Sequence, residues 1–274
     1  MNYFNIMEEK MNKKSVRIFL SFLNLIGFLA TVIVNALAVI LPINNKTTVE
    51  LSDKYPNLFV PAGLTFSIWG IIYILLAFFT VYQMVIAFKN TTDEKGLFEK
   101  VGIMFFISSI LNVGWILAWH YEIVWLSLII MVLLLVSLIT IYLRLKIGKS
   151  DSRNSEKVFV HIPFSVYLGW ITIATIANVT ALLVKTGWNR FGLSEQFWAV
   201  SVIVVGILIT LAMLFFRNDI FYCLVVDWAL IGILLKRLTD KNTPAQFIII
   251  AIIVGIAVIT IGIIIQKIRS KSLY

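Results

Sequence analysis

Residues 123–142 read IVWLSLIIMVLLLVSLITIY, a run with no Asp, Glu, Lys, Arg or His. About 20 such residues cross the hydrocarbon core of a bilayer. No water is available there to bond exposed backbone groups, so a single segment satisfies its own N–H and C=O groups only as a helix. A spanning strand would alternate polar with apolar residues. This run does not alternate, and neither does Ile248–Ile265 near the other end of the chain.

The same reading extends outward along the chain. Of 274 residues, 60% are hydrophobic and 14% charged, with a mean hydropathy of +0.96. A soluble domain is nearer half apolar and a quarter charged. Apolar segments fall at 17–42, 61–88, 98–119, 123–143, 158–184, 196–216, 220–235 and 245–266. The run Ile18–Leu41 is too long for a signal sequence and long enough to span. The expected fold is therefore all-α, a polytopic transmembrane bundle of about eight helices. The seventh segment is short and holds Asp227, so the count of eight turns on it.

Charge sets the expected orientation. With the N-terminus inside, sixteen of the 23 Lys and Arg fall on the cytoplasmic side: in the N-terminal segment, 89–100, 144–157, Arg217 and the tail. The other seven, among them Lys236, Arg237 and Lys241, fall outside. This bias predicts a multi-pass cell-membrane protein with both termini cytoplasmic. The expected organisation is a cytoplasmic segment 1–16, a five-helix membrane domain 17–185, a three-helix segment 196–266 and a cytoplasmic tail 267–274.

The formal charge of +9 comes from short basic stretches between apolar runs, with no nucleic-acid motif beside them. The expected partners are the lipid bilayer and a small hydrophobic ligand, with no nucleic acid; a homodimer is a candidate assembly. The single cysteine, Cys223, allows no internal disulfide, and His120 and His161 are too few for a histidine-based metal centre. No nucleophile–base pair or phosphate loop is visible. The chain is not expected to be an enzyme, and no cofactor is required.

Three polar-aromatic clusters interrupt the apolar background. In the first, after Pro61, residues Phe66, Trp69, Gly70 and Tyr73 share a helical face by spacing. In the second, Ser108, Asn112, Trp115 and Trp119 recur every three or four residues along span three. In the third, Tyr167-Leu168-Gly169-Trp170 is followed by Ala174, Asn178 and Ala181 on one side of span five. Buried Trp and Tyr offer flat apolar walls with one polar atom each, and Asn can orient a ligand's polar edge. The same residues also serve to glue helices together. For Asn112 and Asn178 both readings stand. Trp125, Trp188 and Trp198 lie near span ends, where aromatic rings anchor at the headgroups.

In order and spacing these clusters resemble the TspO/MBR family of tryptophan-rich sensory proteins. Pro61, Trp69 and Tyr73 match its second span, Leu111-Asn112 and Trp115 its third, and Tyr167, Trp170 and Asn178 its fifth. The chain departs from the pattern in three places. The family's double Pro is reduced to Pro61; Gly63 or Leu64 stands where a Trp follows it; and Val166 stands where Pro usually precedes the Tyr of span five. The resemblance covers residues 15–185 and marks an extended branch carrying three further helices.

It implies a pocket for planar apolar ligands such as tetrapyrroles or sterols, closed by the loop after span one. Its candidate ligand-binding residues are Trp69, Tyr73, Asn112, Trp115, Trp170 and Asn178, with 43–60 as lid. Asp227 lies mid-span, where a lone charge costs at least ~2.5 kcal/mol, so it should face protein or water. Its readings are a proton or cation relay, a counter-ion to a ligand amine, a protonated side chain bonded to another helix, or a carboxylate that the short seventh segment places nearer water. A ligand receptor or carrier is therefore the leading reading; a proton-coupled transporter or permease subunit using Asp227 is the alternative. Glu122, in the short loop beside His120, is expected to be solvated.

Overall fold

A computed structural model describes residues 3–41, 43–89, 96–240 and 245–269. Lys95, Lys241 and Lys271 of the charge count, and the ends of both terminal segments, lie outside the described residues. Eight long helices account for most of the described chain. They are α1 (Tyr3–Ile40), α2 (Ile68–Phe88), α3 (Met104–His120), α4 (Val124–Leu145), α5 (Ile162–Lys185), α6 (Glu195–Arg217), α7 (Ile220–Thr239) and α8 (Gln246–Arg269). Six helical stretches, all but α3 and α7, are long and apolar enough to cross a membrane. Their outward faces expose large apolar side chains such as Phe19, Val81, Phe216 and Val254, as lipid contact demands.

The other two differ from the expected segments. Helix α3 has 17 residues because the chain breaks at Gly102, with φ +48, leaving Gly96–Lys100 as a separate short helix. Helix α7 has 20 residues, so the seventh segment is not short. Lys236 and Arg237 end an apolar run but not a helix, since both residue types are good helix formers. At ~1.5 Å per residue, α7 reaches ~30 Å, a bilayer core.

The apolar segment that begins at Pro61 is not helical from its start. Pro61 is outside any helix, Ala62 is extended, Gly63–Ser67 form a 3-10 turn, and α2 begins only at Ile68. Irregular backbone within a membrane bundle survives only where protein covers it. Here α7 supplies the cover. The Ala62 N–H donates to the Gly232 carbonyl (2.9 Å), and the Trp228 indole donates to the Thr65 carbonyl (3.0 Å). A Cβ on Gly232 would lie 1.9 Å from Thr65 Oγ1, so only glycine permits this approach.

Helices α1 to α5 pack as α1 on α2 and α3, α3 on α4, α4 on α5, and α5 on α2. Helices α6, α7 and α8 pack on one another, and α7 also lies along α5. At that joint a Cβ on Gly169 would sit 3.2 Å from the Tyr222 carbonyl oxygen. A glycine at this position lets α7 lie close against α5. Asp219, fully buried, caps α7 by accepting from Tyr222 N–H (3.0 Å) and binds α4 through the Tyr142 hydroxyl (2.9 Å). One apolar core runs through all eight helices.

Candidate functional site

The aromatic clusters from α2, α3 and α5 converge. Trp69 stacks on Tyr73 (centroids 5.6 Å apart) and on Trp115 (6.1 Å), and it meets Tyr167 and Trp170 edge-on. Trp115 stacks in turn on Trp119 at 6.4 Å. Helical spacing produces this arrangement: Trp69 and Tyr73, like Trp115 and Trp119, are one turn apart and so lie over each other. The four tryptophans wall an apolar cavity of about 60 Å³. Trp69, Trp115, Trp119, Trp170 and Asn178 line it, with Ala174, Ala177 and Ala181 leaving the space open on the α5 side. Ala177 and Ala181, one turn apart, both face the cavity.

Tyr73 and Asn112 do not line it. Tyr73 lies one layer further along α2, behind Trp69. Asn112 is fully buried; its amide donates to the Tyr167 hydroxyl (3.0 Å) and its oxygen accepts from Asn35 (2.8 Å). It joins α1, α3 and α5. Asn178 takes the Trp115 indole N–H (3.3 Å) and exchanges hydrogen bonds with Ser127 (3.1 and 3.3 Å), so it joins α3, α4 and α5 while facing the cavity. The indole nitrogens of Trp119 and Trp170, both from lining residues, are buried with no hydrogen-bond partner among the described residues.

The two lining positions on α7 were not legible in sequence. Ala229 and Ile233 of α7 close one side of the cavity. They are ordinary apolar residues one turn apart, and only the docking of α7 onto α5 brings them there. Trp119 shares the face of Asn112 and Trp115, so its spacing was the signal.

The roof is the segment 43–62. A capped helix, Thr48–Lys54, lies within it, Thr47 and Glu50 holding each other's backbone N–H groups. Leu58, Phe59, Val60 and Pro61 follow, all buried. Tyr55 packs on Trp119 at 5.8 Å, and Asn44 donates to the His120 carbonyl at 3.0 Å.

Glu122 is the main fastening, which corrects its reading as a solvated loop residue. Its carboxylate binds Lys46 and Lys54 of the roof and accepts from the Tyr55 hydroxyl at 3.3 Å; its backbone carbonyl takes Lys185. Hydrogen bonds from the two lysines hold its carboxyl down at about 2. A second fastening joins Lys236 of α7 to Asp53.

Asp227 stands apart from the cavity. It bonds Thr260 of α8, and its Oδ1 has no partner among the described residues. No group of three or more His, Cys, Asp or Glu suited to a metal ion occurs among the described residues.

The model of the TSPO-like protein family matches residues 21–265. The chain belongs to the TSPO-like family. The match runs through the five helices that carry the motifs and on into α8, so the last three helices of this TSPO-like protein fall inside the family's own extent. It is an integral membrane protein of the TspO type. No curated protein and no solved structure matches the chain.

Proposed function

We propose that this protein is a membrane receptor or carrier for small planar hydrophobic ligands, tetrapyrrole- or sterol-like, and is not an enzyme. One observation carries the reading: a roofed apolar cavity walled by four indole rings, two of whose N–H groups have no partner among the described residues. Flat rings match a flat ligand, and a buried donor without a partner costs ~1–3 kcal/mol until an acceptor arrives. Residues 17–185 are read as the binding unit, with 196–266 as its buttress. The roofed mouth faces outside the cell if both termini are cytoplasmic, as the charge bias suggests.

At about 60 Å³ the cavity is in a closed state, since ligand pockets run to about 300–1,000 Å³. Binding therefore requires the 43–62 roof to lift. Protoporphyrin IX quenching of tryptophan fluorescence in the purified protein tests the reading. Ala177→Phe fills the cavity while sparing the hydrogen bonds of Asn178, and should weaken saturable quenching at least tenfold. Unchanged quenching would sink the proposal.

Asp227 favours a second reading, proton-coupled transport, because a buried carboxylate with one unpartnered oxygen can gain and lose a proton. Asp227→Asn in proteoliposomes should then abolish a pH-driven ligand flux and leave quenching intact. A flux that survives the substitution rules this reading out.

A further inference from the structure

A second hollow, of about 430 Å³, opens between α5 and α6 at the roofed end. Unlike the inner cavity it is already of ligand size. Thr180 and Val184 of α5 form one wall, Val202 of α6 forms the other, and Phe59 of the roof closes the back. Thr180 and Gly187, both in its lining, are about two helical turns apart. The hollow is thus a slot some 10 Å deep along the helix axes. Its wall is chiefly apolar below and aromatic and charged at the mouth, where Trp188, Trp198 and Arg190 stand.

The mouth is built rather than loose. Trp188 and Trp198 contact edge to face, with centroids 4.9 Å apart. The Trp198 indole donates to the Arg190 backbone carbonyl (2.9 Å), and the Asn189 side chain accepts from Phe191 N–H (3.0 Å). Arg190 and Phe191 are both held at positive φ, 58° and 52°, a conformation that persists in non-glycine residues only where the surroundings impose it. Two charges are presented there. Glu195 is engaged, its Oε1 accepting from the Leu58 N–H of the roof at 3.1 Å. Arg190 is half exposed; its nearest carboxylate oxygen, on Glu195, is 3.8 Å away, and its guanidinium makes no hydrogen bond among the described residues. A guanidinium offers five donors in a fork that matches a carboxylate or phosphate.

We propose that this slot is a binding site for an anionic amphiphile, its apolar chain lying between α5 and α6 and its acidic head on Arg190. The depth, the apolar walls and the half-exposed Arg190 at the mouth, held by Glu195 only through a long 3.8 Å ion pair, fit a chain ending in one anionic group. The proposal stands independently of the ligand assigned to the inner cavity.

The test uses the full-length protein in uncharged detergent, with cis-parinaric acid and its methyl ester as probes, read by energy transfer from tryptophan. The acid should bind saturably and at least tenfold more tightly than the ester. Arg190→Gln should remove that preference by weakening the acid alone, and Arg190→Lys should restore part of it. Val202→Trp, or Ala199→Phe on the same wall, should abolish binding of both probes without lowering the melting temperature. Equal affinity for acid and ester, an Arg190→Gln variant that keeps the preference, or filled variants that still bind would overturn the site. Competition separates the sources. Displacement by phosphatidylglycerol identifies a membrane lipid, displacement by free fatty acid alone identifies a soluble acid, and displacement by neither overturns the proposal.

Discussion

Asn112 and Trp119 sit two turns apart on one face of α3 and do different work. Asn112 spends its amide on Asn35 and Tyr167, so its polarity goes into joining three helices. Trp119 keeps a buried indole N–H with no partner among the described residues and lines the cavity. Sequence spacing put both on the same face but could not divide these roles, because the division depends on which helix stands opposite each side chain. Substitution separates them. Trp119→Phe removes no hydrogen bond among the described residues, so the melting temperature should hold. If the indole donates to the ligand, affinity should fall by up to about tenfold, the ~1.4 kcal/mol of one hydrogen bond. Fluorescence titration with protoporphyrin IX beside a thermal melt checks both halves.

The roof is the element on which access depends. Its outer part, 43–54, is fastened by ion pairs, Lys46 and Lys54 to Glu122 and Lys236 to Asp53. Exposed pairs of this kind are weak individually and screened by salt, which suits a segment that must lift. Glu122 sets the pH dependence. Its carboxyl titrates at about 2 when the roof is down, against an ordinary value of 4.5. A depressed folded value means that the fastening is complete above pH 4.5 and is lost as pH falls from there toward about 2. Glu122→Gln should therefore accelerate both binding and release of ligand at neutral pH, as stopped-flow quenching would record, and should flatten the acid-side rise in those rates. Unaltered rates would mean that the roof is not the gate. The sequence offered the roof as a loop of suitable length, yet Glu122 looked like an ordinary solvated residue. Its three lysine partners lie 63 to 76 residues away along the chain and meet it only in the fold.

At the scale of the whole molecule, α7 makes one body of the eight helices. It covers the unwound start of α2, presses on α5 at Gly169 and closes the cavity with Ala229 and Ile233. Gly232→Ala should therefore act far beyond its size. The added carbon meets Thr65 and would force α7 off residues 62–65, a cost of ~1–3 kcal/mol for an overpacked contact. A thermal melt in detergent should show the loss, with weaker ligand binding in the same preparation; an unchanged melt would mean that α7 yields without cost. Composition and unbroken apolar runs determined on their own that this is a polytopic helical membrane protein, because a lipid-facing backbone has no other way to satisfy itself. The spacing of Trp, Tyr and Asn on α2, α3 and α5 likewise determined which faces turn inward. Tertiary structure alone decided that α7 belongs to the cavity wall, that Asn112 joins helices behind it and that Glu122 fastens the roof. Each of these depends on contacts between residues far apart in the chain, which periodicity along a single helix does not encode.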